Sequence, residues 1–281
     1  MKAQRRQRRL MVLLMAAMLG ISSLMVGCGD NGFQLISREQ EIAMGEEAAP
    51  KFKEEFGGEV EDEALQQYVR GVGQSVAAKA DRPMPYEFTL VRSDTPNAFA
   101  LPGGKIFITA GLMSYMENER ELAAVLAHEV AHVVHRHNVD RLKQQMGASV
   151  LLEVAKIAIG PEHAETAGAV GNLVANMTLL KYSRDDEYEA DRRGVSIMER
   201  AGYNPWGMVE LLETLKALSG EGGGTFNEMF QTHPLPENRI DKARELVRDD
   251  YESYSAQSAD PDAGRFRDMQ QRLLDHMGWK R

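Results

Sequence analysis

The chain has 281 residues, 43% hydrophobic and 27% charged, which are the values of a globular protein and exclude a disordered one. A single cysteine excludes an intramolecular disulfide framework and any metal site built from several thiolates. With 42 acidic and 33 basic residues the net charge is −9, which excludes a general binder of nucleic-acid phosphates.

In chain order, Lys2, Arg5, Arg6, Arg8 and Arg9 precede an apolar run over 10–26 whose only polar members are Ser22 and Ser23. A basic start, an apolar stretch and then small residues predict an export signal over 1–27, and the run is short for a retained membrane span. Leu24-Met25-Val26-Gly27-Cys28 resembles the lipobox of bacterial lipoproteins. That resemblance implies lipidation of Cys28, attachment to a membrane through the lipid, and a tether over 28–36. Gly29 after the cysteine, rather than aspartate, favours the outer membrane. Without its signal the chain is more acidic still, because the signal carries only basic charges.

Ser37 and Gln40 form a capping box that opens a helix ending near Ala49, ahead of Pro50. A second helix is predicted over 62–80, with Leu65, Val69, Val72 and Val76 on one face. Residues 86–91 alternate as a strand, and 97–101 with 105–109 flank Pro102-Gly103-Gly104 as a hairpin. A buried helix follows over 117–137. Later helices are predicted at 139–158, 164–180, 184–201, 205–218, 237–248 and 262–277, with a glycine-rich break at 219–224. Residues 249–281 read as a polar linker and an amphipathic helix. No internal repeat of solenoid period occurs. Few, early strands among many helices predict an α+β class that is predominantly helical.

His128-Glu129-Val130-Ala131-His132 is the pattern H-E-x-x-H. Residues four apart lie on one helix face, about 6 Å apart along the axis, so both imidazoles reach one tetrahedral Zn²⁺. Glu129 lies about 100° round the helix, placed to act as a general base without being a ligand. Catalytic zinc takes three protein ligands. A third histidine ten residues after the first would stand at 138, which is Asn138, so the metzincin pattern is excluded. His135 and His137 lack zinc-site spacing and either support the site from behind or are structural. The stretch 183–191 offers Asp185, Asp186, Glu187, Glu189 and Asp191 as acidic candidates, and spacing does not choose among them.

Four stretches in order resemble the M48 family of zinc metallopeptidases: Asn97-Ala98-Phe99-Ala100 with Pro102-Gly103-Gly104, then His128 to His132, then Ser183-Arg184 with Glu187 and Ala190-Asp191, and finally Thr232-His233-Pro234. The resemblance covers roughly 37–245 and implies a zincin-like metallopeptidase domain over 37–248 with one Zn²⁺. It implies His128, His132 and Glu187 as zinc ligands, Glu129 as catalytic base, and Asp191 as the carboxylate that orients a ligand histidine. It also implies that Asn97, Ala98, Phe99 and Ala100 form the edge strand on which an extended substrate lies. His233, whose family counterpart lies near the metal, either donates to the developing oxyanion or occupies the open metal position at rest. Arg239 supports a carboxylate or the oxyanion, or makes a salt bridge at a helix start. The membrane spans of some family members are not expected here, nor is the helical-repeat domain of some exported ones.

The function so implied is a zinc endopeptidase of the cell envelope acting on unfolded or misassembled proteins, with the apolar stretch 164–180 as a lid. A lipoprotein that binds or chaperones envelope proteins around a non-proteolytic zinc is the alternative. Intact Glu129 argues against it, since a structural zinc has no use for that carboxylate.

Overall fold

The computed structural model describes residues 35–281 apart from 160–166, 222–226, 236–237, 259–261 and 281. The expected export signal, the lipobox and Cys28 lie outside the described residues. Helix α1 (Arg38–Glu55) starts at the expected capping box, with Gln40 N–H donating to Ser37 Oγ at 3.2 Å and Ser37 N–H to Gln40 Oε1 at 2.8 Å. It does not stop at Ala49 but continues through Pro50. Proline deprives the Glu46 carbonyl of its helical donor at a point where both residues are exposed. Phe52, fully buried against Phe99 and Phe107 at ring distances of 5.1 and 4.9 Å, holds the extra turn in place.

Helix α2 (Glu63–Ala77) is capped by Asp62 and precedes strand β1 (Glu87–Val91). Strands β2 (Ala98–Leu101) and β3 (Lys105–Thr109) form the expected hairpin around a 3₁₀ turn, Pro102–Gly104. The sheet order is β1-β3-β2, with β1 parallel and β2 antiparallel to β3. Strand β2 is therefore an edge. Phe99 and Phe107 face α1, while Ala98, Ala100, Ile106 and Ile108 join the main core with Leu65, Val69, Val72 and Val76 of α2. Both faces are covered, so β2 and β3 are buried at every position.

A short helix α3 (Ala110–Tyr115), capped by Thr109, follows the sheet where none was expected. Helix α4 (Glu119–Val134) is buried at every position from Glu119 to Val133. It ends earlier than expected. His135 caps it and Arg136 turns left-handed (φ 62°, ψ 21°), so a new helix α5 (His137–Met146) begins. Arg136 is held there by Glu41 of α1, at 3.2 Å, and by donating to the Ile36 carbonyl at 2.7 Å. Gly147 (φ 83°) then splits the single helix expected over 139–158, and α6 (Ala148–Ile159) follows.

Beyond them come α7 (Ala167–Thr178), α8 (Arg184–Arg200) and α9 (Trp206–Glu221). An unexpected short α10 (Asn227–Thr232) precedes α11 (Arg239–Asp250) and α12 (Ala263–Met277). Helix α8 packs along α4, and Gly194 permits the approach: a Cβ there would stand 3.2 Å from the His128 backbone nitrogen. Helix α12 buries Phe266, Leu273 and Leu274, and Gln270 Nε2 donates to the Met116 carbonyl at 2.5 Å, so the C-terminal helix is part of the core. The described part is a predominantly helical α+β fold with a small three-stranded open sheet.

Gly45 of α1 stands against the 3₁₀ turn, where an added Cβ would lie 2.0 Å from the Pro102 carbonyl oxygen. Gly45→Ala is expected to cost about 1–3 kcal/mol by overpacking. Urea unfolding measures it, and an unchanged midpoint would contradict this packing.

Candidate metal centre

Helix α4 presents His128 and His132 on one face with their Nε2 atoms 3.0 Å apart. Helix α8, started by a capping box of Ser183 and Asp186, brings Glu187 to them. Its Oε1 lies 3.4 Å from His132 Nε2 and its Oε2 3.6 Å from His128 Nε2. Ligand atoms about 2.0–2.1 Å from a tetrahedral zinc stand roughly 3.3 Å from one another, so these spacings fit one Zn²⁺. His233 joins the group, its Nδ1 3.1 Å from Glu187 Oε1. These four residues are all buried, and each offers a donor atom within 4.8 Å of the others. Two or three imidazoles and one carboxylate form a borderline-soft donor set suited to zinc.

The remaining acidic candidates on α8 separate cleanly. Asp191 Oδ1 lies 3.0 Å from His128 Nδ1, behind that ligand. Asp186 accepts from the Ser183 N–H and pairs with Arg141. Glu189 turns to His135 and His137 on the far side of His132. Asp185 faces a separate cavity with Tyr188 and Arg192. Asn138, at the position of the metzincin histidine, instead donates from Nδ2 to the Ala100 carbonyl of β2 at 3.3 Å.

Arg239, at the first turn of α11, is buried between two carboxylates. Its Nε and Nη2 donate to Asp191 at 2.6 and 2.8 Å, and Nη1 makes a short ion pair with Glu187. Burial alone would raise the Glu187 carboxyl, but Arg239, His233 and His132 hold it well below the usual carboxylate range. Asp191 is likewise lowered, as Arg239 and His128 outweigh its burial. Glu129 is different. Burial raises it, and the nearby His233 and His128 offset this only in part. Its Oε2 is buried with no hydrogen-bond partner, and its Oε1 lies 3.8 Å from His233 Nε2. Burial lowers His233, yet Glu187 and Glu129 outweigh it, and the imidazole is raised.

One residue that the sequence reading did not single out, Tyr182, completes the wall. Tyr182 stacks on His132 at a ring distance of 3.9 Å, and its N–H is tied to the Thr232 carbonyl at 3.0 Å. The unexpected helix α10 matters here, because His233 directly follows its last residue and donates its N–H back to Met229 at 2.7 Å. Of the stretch expected to be a lid, 164–166 lies outside the described residues. Met177 and Leu180 border a cavity of about 10 Å³ between His233 and Phe99, Ala100 and Leu101 of β2. A second small cavity of about 20 Å³ lies on the Glu129 side, among Val125, Leu211, Leu215 and Phe230. No helix among the described residues is long and apolar enough to cross a membrane.

The model of peptidase family M48 matches residues 63–247. The beta-barrel assembly-enhancing protease of Yersinia pestis is 32% identical over 234 residues, 81% of this chain and 48% of that protein. The Escherichia coli K12 protein of the same name is 32% identical over 192 residues, 66% of this chain and 39% of that protein. The mitochondrial metalloendopeptidase OMA1 of Schizosaccharomyces pombe is 31% identical over 223 residues, 76% of this chain and 63% of that protein. The matched stretch thus spans about half the length of these relatives.

Asp191 and Glu187 owe their low folded pKa largely to Arg239, so they stabilise the fold above the unfolded carboxylate pKa of about 4. That stability is lost as pH falls below this value through the depressed folded pKa. Arg239→Met is expected to destabilise the metal-free protein by about 3–5 kcal/mol and to flatten this acid limb. The zinc-loaded protein should lose less, because the cation takes up the Glu187 charge. Equal losses in both forms, measured by thermal unfolding, would mean that Arg239 acts through packing alone.

Proposed function

This chain belongs to peptidase family M48, and from that membership we propose that it is a zinc-dependent endopeptidase of the bacterial cell envelope, acting on unfolded or misassembled proteins. The observation that carries the reading is the buried cluster of His128, His132 and Glu187 with the unpartnered carboxylate oxygen of Glu129 beside it. Zinc held by these three residues supplies a Lewis acid and makes a water acidic near neutral pH. Glu129 accepts the proton of the attacking water and passes it to the leaving amine. Its raised pKa suits both tasks. Asp191 holds His128 through Nδ1, keeping the Nε2 lone pair directed at the metal.

His233 has a proposed task in each of two states. At rest it stands beside the ligand set, its ring 5.5 Å from His128 and 5.4 Å from His132, where it would offer the metal a fourth donor. Once displaced, its imidazole donates to the oxygen of the tetrahedral adduct. Arg239 supports the chemistry indirectly, by holding Glu187 and Asp191 in place.

Substrate is proposed to add to β2 as an extended strand. The Thr109 N–H donates to the Asn97 carbonyl at 3.0 Å, so the alternation of an antiparallel pair turns the Ala98 carbonyl and the Ala100 N–H to the open edge. Main-chain pairing recognises extension rather than sequence, which supports unfolded protein as the substrate class. The cavities at the site are too small for a peptide, so Leu180, Tyr182 and the His233 segment must move before substrate enters. The relatives named as beta-barrel assembly-enhancing proteases support an envelope location. Lipidated Cys28 would hold the enzyme at the membrane.

Glu129→Gln should lower cleavage of an unfolded protein such as casein by about 10²–10⁴-fold while zinc stays bound. Ala100→Pro removes one edge donor, and it should reduce cleavage with zinc content held. Unchanged cleavage by Glu129→Gln with zinc retained would overturn this mechanism, and no cleavage by the zinc-loaded wild type would leave the zinc-binding chaperone as the better reading. Cys28→Ser should release the protein from the membrane fraction, and full retention would count against the anchor.

A further inference from the structure

Behind His132, on the side away from Glu187, stands a second cluster with the composition of a metal site: His135, His137 and Glu189. His135 Nδ1 lies 3.1 Å from Glu189 Oε1, and His137 Nε2 lies 3.1 Å from Glu189 Oε2. His137 is buried, and its other nitrogen, Nδ1, lies 3.0 Å from Nδ1 of His132. We propose that His137 and Glu189 are positioning residues that fix the tautomer and ring orientation of His132, rather than ligands of a second cation. The proposal rests on zinc binding by His128, His132 and Glu187.

The protons decide between these two readings. His132 Nε2 faces His128 and Glu187, so its lone pair must be free for the metal and its proton sits on Nδ1. Two ring nitrogens 3.0 Å apart share one proton, since two would collide and none would repel. The His132 Nδ1–H therefore donates to His137 Nδ1, which must be the acceptor. A neutral His137 then carries its proton on Nε2, aimed at Glu189 Oε2. Donation runs one way, from His132 to His137 to Glu189. A cation on His137 Nε2 would have to remove that proton and leave an imidazolate against His132. The same nitrogen cannot serve both purposes.

The two metal histidines are thus backed in parallel. His128 Nδ1 meets Asp191 directly, and His132 reaches Glu189 through one intervening imidazole. The left-handed turn at Arg136 makes this possible, because it stops α4 and brings His137 back beneath His132. Glu189 is the wet end of the chain, its side chain 55% exposed, while His132 is fully buried. His135 touches Glu189 and stacks on His137 at a ring distance of 5.4 Å.

The test is zinc affinity, measured on metal-free protein by chelator competition, with Co²⁺ absorption reporting ligand geometry. The wild type should bind one zinc. His137→Phe keeps the ring volume and loses both hydrogen bonds, so it should weaken zinc binding by about 10–100-fold and alter the Co²⁺ spectrum. His137→Gln offers an amide oxygen to accept from His132 and an NH₂ to donate to Glu189, so it should retain most of the affinity. Glu189→Gln, at a half-exposed position with little folding risk, should cost about tenfold. His135→Ala should leave the stoichiometry at one zinc. Binding by His137→Phe as tight as by His137→Gln would mean that His137 only packs, and it would overturn the proposal. So would unchanged affinity in Glu189→Gln, or two zinc ions per wild-type chain falling to one in His135→Ala. A wild type that binds no zinc would instead fail the metal centre itself.

Discussion

A helix buried on every side that carries two imidazoles and a carboxylate must find partners for them inside the protein. Unpaired polar and charged groups at such depth cost several kcal/mol each. Helix α4 is that helix, and much of the remaining architecture answers its demand. Glu187 and Asp191 come from α8, Arg239 from the start of α11, His233 from the end of α10, and Tyr182 from the segment before α8. The sheet and α2 supply the apolar packing, and the elements that follow α4 supply the charges. The arrangement is best understood as electrostatic compensation that happens to converge on one point.

Counting the charges at that point shows why a dication belongs there. Glu129, Glu187 and Asp191 are all buried, and Arg239 is a buried cation among them. His233 is raised by the same carboxylates, so the protein already recruits positive charge toward them. A zinc ion would add to that positive charge, and Glu129 is the one of the three carboxylates that burial leaves raised.

Local signals in the chain were legible where a short spacing carries the chemistry. The four-residue interval between His128 and His132, the capping box at Ser37, and the hairpin at Pro102-Gly103-Gly104 are of this kind. What spacing could not give was choice among like groups. Five acidic side chains within 183–191 look alike until the rotation of α8 against α4 sends them to different partners. The parallel pairing of β1 with β3 depends on contacts far apart in sequence. Proline at 50 failed as a stop because an exposed carbonyl tolerates losing its donor while Phe52 rewards another turn. The end of α4 falls three residues before the expected boundary, and Glu41, which pairs with Arg136 at the turn, lies far upstream.

Glu41 is almost wholly buried and is held by Arg82 from the loop before β1 and by Arg136 from the turn after α4. One carboxylate thus fastens three segments that are remote along the chain, and one of them sets the ground beneath His132. An isolated α4 would carry the same two histidines at the same spacing without that support. Tight capture of the cation is consequently a property of the finished tertiary structure, and the folded state and the loaded metal stabilise each other.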